Sequence, residues 1–275
     1  MRELPAGPWH GQYRLALVYD TETTTDRFQE LLVGSYLLCR IDWTKTGPTV
    51  IPLEEGLFIP DEVRTSDPNA YRRVRRYLQR HRRNPGVNPD DPDAAAYLRL
   101  LDRRQFCELR FQVAYRNNGL IVCLNQPFVE SRIAVDWTPS RSRGYERGFS
   151  LIHHQYTDHN GTVRESQHRP RTMTQALDSK RSRTRFTRPA RSDTPHTPGV
   201  FLDLRQLLYA LTGEGHGLAS GCKPFGVPFA KDPPELGRLT ARLIKYARLD
   251  TQATMRLLEA ALGECHRRGV RLPPD

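Results

Sequence analysis

The chain predicts an α/β fold: a mixed five-stranded sheet flanked by helices, with basic loop or hairpin insertions. Three observations point there. Between residues 13 and 59, three strand-like apolar runs follow one another with no helix between them, which suggests an antiparallel meander. Gly119–Leu124, GLIVCL, is continuously apolar like a strand buried on both faces, and Pro127 can open a helix directly after it. Leu239–Arg267 carries the apolar spacing of a long amphipathic helix.

Composition narrows the function classes. Among 275 residues, 42 Lys and Arg face 31 Asp and Glu, a net charge of +11. The pI is near 9.7. Such an excess suits a polyanionic partner, nucleic acid above all. A mean hydropathy of −0.65 and 21 prolines predict long polar loops. No run approaches the roughly 18 apolar residues of a membrane helix. The opening MRELPAGPWHG lacks the apolar stretch of a signal peptide, so a cytoplasmic protein with no membrane partner is expected. Cys39, Cys107, Cys123, Cys222 and Cys265 are scattered and form no CxxC pair, which fits free thiols in a reducing compartment.

In order, residues 1–12 read as a loose leader and 13–20 as the first strand. Glu30–Ile41 reads as the second, with Gly34 a candidate bulge, and Thr49–Ile59 as the third. Asp67 and Pro68 are a helix N-cap and first residue. The helix that follows, 67–83, has an apolar seam of Tyr71, Val74 and Leu78. It also holds Arg72, Arg73, Arg75, Arg76, Arg80, Arg82 and Arg83, either a solvated face or a nucleic-acid contact. NPGVNPDDPD, residues 84–93, is a linker leading to one long helix over Ala94–Arg116. A helix through Val135 follows the GLIVCL strand. Residues 138–199 are rich in Arg, Ser, Thr and Pro, with strand-like islands at Phe149–Tyr156 and Thr162–Glu165. They read as a basic hairpin plus a mobile loop carrying Lys180, Arg181, Arg183, Arg185, Arg188 and Arg191. Val200–Leu204 is a short strand whose Asp203 can cap the helix Arg205–Leu211. A short helix over Leu218–Phe225 and a Pro-rich loop, Val227–Glu235, precede the last helix.

The chemistry concentrates in few residues. Asp20 and Glu22 close the first strand, ALVYDTET, and side chains two apart on a strand share a face. Two carboxylates side by side are costly unless a divalent cation sits between them; a plain Asp/Thr-rich turn is the alternative. In the last helix Asp250 falls on the apolar face with Tyr246 one turn before it, where a carboxylate needs a salt bridge, a hydrogen bond or a metal.

DTET, a strand followed by Asn125-Gln126-Pro127-Phe128, VFLDLRQL and YARLD occur in that order over residues 13–265. In this the chain resembles the DnaQ-like 3′–5′ exonucleases of the ribonuclease H-like superfamily, in the DEDDy subclass that includes polymerase proofreading domains. LASGCKPFGVP and LIKYARLDTQAT also look like that family's last two helices. The resemblance implies a single exonuclease-like domain over 1–275, with a core of 13–137 and 200–268 and an insertion at 138–199. It implies Asp20, Glu22 and Asp250 as ligands of Mg²⁺ or Mn²⁺, and Tyr246 as the residue that helps position the attacking water. Asn125 and Phe128 would shape the site floor or the terminal-nucleotide pocket, or else serve as a helix cap and a core aromatic. The charge of the insertion, with Arg181, Arg183 and Arg185, would capture the substrate backbone, though a merely disordered insert would carry it too.

The second motif departs from the family pattern. Where Asp should follow the aromatic residue stands Val129. Glu130 is next, but one helical position turns the side chain by about 100°, and Asp136 lies about 10 Å further along a helix axis. Hydrolysis impaired at the second metal is therefore expected. The alternatives are an inactive nucleic-acid-binding pseudonuclease and a proofreading-like fragment of a larger polymerase, with which the abrupt LPPD end is compatible. The expected partner is nucleic acid, DNA in preference to RNA, together with a polymerase or another replication, repair or defence protein.

Overall fold

The apolar run that opens the chain is β1, Leu15–Thr23, and its Ala16–Tyr19 stretch is fully buried. The computed structural model describes residues 13–81, 98–178, 181–191, 200–230 and 236–270. The expected leader, Arg82 and Arg83, the 84–93 linker, Lys180 and the LPPD end lie outside them.

From β1 the chain turns into β2, Leu31–Thr44, and β3, Gly47–Ile59, both antiparallel to their predecessor. The meander is therefore as expected. Gly34 is not a bulge. It pairs with Thr21 and Phe58, and a Cβ on it would lie 1.9 Å from the Phe58 ring, so the residue is small because an aromatic ring crosses over it. The register shifts fall instead at Glu22/Thr23 and Leu38/Cys39.

After α1, Val63–Ser66, comes α2, Pro68–Arg80, capped by the Asp67 carboxylate, which accepts from the Ala70 amide. Ala70, Val74 and Tyr77 form its buried seam, with Tyr71 and Leu78 half-buried at the flanks and the arginines facing outward. The expected helix from Ala94 does not form over Arg99–Asp102. That segment is β4, which pairs parallel with β3 and makes six strands where five were expected. Asp102 sets the boundary. Its carboxylate accepts from the Gln105 amide and its own amide donates to the Gln105 side chain, a capping box that starts α3, Arg103–Arg110, here and no earlier. A π-helical turn over Phe111–Arg116 continues α3.

β5, Leu120–Cys123, is parallel to β1 and leads into α4, Gln126–Ile133. The insertion is far more ordered than a hairpin and a loop. β6, Asp136–Pro139, β7, Phe149–Ile152, β8, Gln155–Thr157, β9, Val163–Glu165, β10, Thr172–Ala176, and β11, Ser182–Phe186, follow in turn. Four of them form an antiparallel sheet, β11-β10-β7-β6, and β8 and β9 form a separate hairpin. Phe186 explains the order: it is buried edge-on to Phe111, Tyr115 and Phe201 and pins the small sheet to the main core.

β12, Val200–Asp203, pairs parallel with β5, and α5, Leu204–Thr212, follows it. α6, Leu218–Cys222, and α7, Ala241–Arg268, end the fold; Thr240 caps α7 through the Leu243 amide. The main sheet is mixed, with order β12-β5-β1-β2-β3-β4. Alternation along β1 divides the core. Ala16 and Val18 pack with Leu258, Ala261 and Leu262 of α7, while Leu17 and Tyr19 pack with Phe106, Phe111 and Val129 on the opposite face. No helix among the described residues is long and apolar enough to cross a membrane.

Candidate metal centre

β1 delivers Asp20 and Glu22 on the face that α7 covers, because they continue the alternation of Ala16 and Val18. α7 crosses that face with Ala247, Asp250, Thr251 and Thr254 buried. One carboxylate oxygen from each of Asp20, Glu22 and Asp250 comes within 4.8 Å of the other two. Asp20 and Glu22 are half-buried and Asp250 is 7% exposed. At such separations two carboxylate charges repel by about 3.5 kcal/mol at an effective dielectric near 20. Three together form a site that could hold a metal ion, whose charge would offset this repulsion. The donor set is all oxygen, which fits a hard ion such as Mg²⁺ or Mn²⁺.

The surroundings fix these acids in place. The Asp20 carboxylate accepts from the Thr21 amide at 2.8 Å. Ser35 stands opposite Asp20 in the β1–β2 ladder and so shares its face; it is 1% exposed, and its Oγ makes no hydrogen bond among the described residues. Thr251, next to Asp250, donates its hydroxyl to the carbonyls of Ala247 and Ser35, tying α7 to β2. Arg248 pairs with the buried Glu55 of β3 at 2.8 Å and donates to the Tyr77 hydroxyl of α2, while Gln252 also donates to Glu55. Burial alone would lower the Arg248 guanidinium, but Glu55 more than offsets this and holds it above its ordinary value. Tyr246 is half-buried one turn before Asp250, on the same side of α7.

The second-motif side is built differently. Asn125 takes a left-handed backbone, φ 68°, at the junction of β5 and α4. The Asp203 carboxylate accepts from the amides of Asn125, Gln126 and Arg205, so it joins the ends of two parallel strands as well as capping α5 as expected. Phe128 is half-buried, with the Arg132 guanidinium 5.1 Å from its ring centre. Val129 is 2% exposed and belongs to the core cluster of Tyr19, Cys123 and Phe186.

Glu130 is fully buried and accepts from the Tyr19 hydroxyl, Arg110, the Gln126 amide nitrogen and the Thr172 hydroxyl. Arg110 is equally buried and contacts both carboxylate oxygens, at 2.5 and 2.7 Å. Burial, then Glu130, pushes the Tyr19 phenol well up. Burial, then Arg110, holds His153 well below the usual imidazole range, and the same causes bring His154 to about 3. Glu130 is thus committed to an internal ion pair with Arg110. Sequence reasoning missed this network because Arg110 belongs to another helix, although an arginine among the apolar positions of residues 94–116 was a readable signal.

The three arginines expected on a basic hairpin plus a loop lie on or beside β11, which pairs antiparallel with β10 as a hairpin does. Arg181 is exposed and pairs with Asp178 at 2.7 Å. Arg183 and Arg185 lie over the Tyr145 ring at 4.4 and 4.9 Å, and Arg183 also donates to Gln175. In comparisons with known proteins, the chain matches no protein-family model and none of the curated proteins.

Proposed function

We propose that this chain is a 3′–5′ exonuclease-like domain of the DnaQ-like DEDDy type, which hydrolyses phosphodiesters at the 3′ end of single-stranded nucleic acid. The observation that carries this reading is the convergence of Asp20, Glu22 and Asp250, contributed by a strand and a helix more than 220 residues apart in sequence. The strand order supports it as well. β12-β5-β1-β2-β3, with β2 antiparallel to its neighbours, is the arrangement expected of a ribonuclease H-like core, and β4 is an addition at its edge.

Asp20, Glu22 and Asp250 would hold a divalent cation, which when bound activates water, orients the scissile phosphate and stabilises the leaving 3′-oxygen. Tyr246, from the same side of α7 as Asp250, would position the attacking water. Asn125 and Phe128, at the carboxyl end of β5, would border the terminal nucleotide, since ligands of open α/β sheets sit at that end of the strands. DNA is the proposed substrate in preference to RNA, and a polymerase or another replication, repair or defence protein the proposed partner.

A second reading, a binding pseudonuclease, draws on the other half of the site. Val129 is apolar and buried, and Glu130 is held by Arg110, so the position that would support a second cation has lost its ligand. A nuclease assay on a 5′-labelled single strand with Mn²⁺ separates the two. Slow release of mononucleotides by the wild type, abolished in Asp20→Ala, supports the exonuclease. Equal inertness of both proteins, with cutting restored in Val129→Asp, supports the pseudonuclease.

A further inference from the structure

The insertion encloses a second feature, remote in sequence from the acidic residues. Between the four-stranded sheet and the β8–β9 hairpin lies a cleft of about 990 Å³. Its lining includes Arg141, Arg164, Arg169, Arg171 and Arg188, with Glu165 as its single carboxylate residue. Three of the arginines are held in place by acids: Arg164 by Asp158, Arg169 by Glu108 at 2.7 Å, and Arg171 by Glu165. Arg171 also donates to the Thr138 hydroxyl at 3.0 Å, which fixes it as the floor. Arg141, from the β6–β7 connection, and Arg188, just after β11, are exposed on the lining, and no carboxylate lies within salt-bridge distance of either among the described residues. Among the described residues, the cleft therefore keeps two positive charges beyond those that neighbouring acids neutralise. Tyr156 of β8 lines the same cleft and is 49% exposed, an aromatic face left to solvent beside the charges.

We propose that this cleft binds single-stranded nucleic acid, with Arg141 and Arg188 contacting phosphates and Tyr156 stacking on a base. A fixed basic floor, two exposed guanidiniums and one open aromatic ring are the parts from which sequence-tolerant single-strand sites are made. A duplex keeps its bases stacked inside and offers Tyr156 nothing to stack on. The inference rests on the nucleic-acid part of the proposed function, but not on hydrolysis.

The test uses the full chain carrying Asp20→Ala, so that cutting does not enter, and a fluorescent 20-nucleotide single strand followed by anisotropy over a range of salt. Each phosphate contact contributes a slope of about 0.7 in log K against log salt. Arg141→Gln with Arg188→Gln is expected to reduce the slope by about 1.4, and to weaken binding roughly 25-fold at 0.1 M salt. Tyr156→Ala is expected to weaken the single strand roughly tenfold and leave a duplex of equal length unchanged. Arg75→Gln with Arg76→Gln on α2 supplies a control of equal charge change, and circular dichroism establishes that each variant is folded. The proposal is overturned if the cleft pair leaves affinity and slope unchanged, or if the α2 pair lowers them equally. It is also overturned if inorganic polyphosphate competes as well as the oligonucleotide per charge while Tyr156→Ala has no effect. Failure of the wild type to hydrolyse, with these binding effects intact, would remove the exonuclease and leave the cleft standing.

Discussion

The two faces of β1 handle negative charge in opposite ways. On the α7 face, Asp20, Glu22 and Asp250 are gathered within 4.8 Å of one another. On the other face, Glu130 is enclosed by Tyr19, Arg110, Gln126 and Thr172. The chain supplies Glu130 with its own counter-cation and locks it into the core. It gathers the other three acids into a group that could hold an external cation. One arrangement carries its own counter-charge within the fold, and the other is a group that could hold a metal ion. The same division keeps Glu130, adjacent to Val129 in sequence, apart from the group of Asp20, Glu22 and Asp250.

The largest effect expected is from removing the internal cation. Arg110→Met leaves Glu130 buried without its partner and should cost about 3–5 kcal/mol, lowering the melting temperature by roughly 10 °C. An unchanged melting temperature would contradict the structural role of the pair. By contrast, Asp250→Asn should cost under about 1 kcal/mol in metal-free buffer, because it relieves repulsion, while lowering Mn²⁺-dependent hydrolysis at least about 100-fold. Loss of both stability and activity to the same degree would erase the distinction between the two faces.

Val129→Asp sharpens the comparison by placing an acid on the self-sufficient side. Burial of the new carboxylate should cost about 1–3 kcal/mol without metal. Partial recovery of the melting temperature in Mn²⁺, absent in the wild type at that position, would mean that the side chain turns toward the other acids.

Acid sensitivity should come from the Glu130 side. His153 and His154 are held below their unfolded value near 6.5, His154 to about 3. Below pH 6.5 the unfolded chain therefore binds protons that the folded chain does not. Their contribution is complete above pH 6.5 and is lost as pH falls toward the folded values, at up to about 1.4 kcal/mol per pH unit for each histidine. Urea titrations from pH 7 to 4.5 should show this decline, and His154→Asn should flatten it. The smallest effect expected is from Arg181→Ala, which breaks an exposed pair with Asp178 and should shift stability by less than about 0.5 kcal/mol in the same titrations.

Much of this contrast was readable from residue patterns, and some was not. Asp20 and Glu22 were legible because β1 alternates, and Asp250 because a carboxylate interrupts the apolar face of a long helix. Their meeting was legible only through the resemblance, since no local pattern joins residues 22 and 250. Leu98 and Leu101 fit a helix seam and a short buried strand equally well. The Asp102–Gln105 capping box that decides between them was present but unread. In the insertion, SRTRF buries alternate residues as strands do, but a background of Arg, Ser and Thr hid its buried positions, Thr184 and Phe186, and those of TMTQA, where Thr172, Met173 and Thr174 are buried in succession. The Arg110–Glu130 pair joins two helices 20 residues apart, and only tertiary packing brings them together.

Mn²⁺ titration of the wild type and of Asp20→Asn, Asp250→Asn and Glu130→Gln, followed by electron paramagnetic resonance, tests the metal centre most directly. A centre formed by Asp20, Glu22 and Asp250 predicts Mn²⁺ binding by the wild type and its loss in both aspartate variants. Glu130→Gln, in so far as it remains folded, should still bind. Mn²⁺ binding that is unchanged in Asp20→Asn and Asp250→Asn would contradict it.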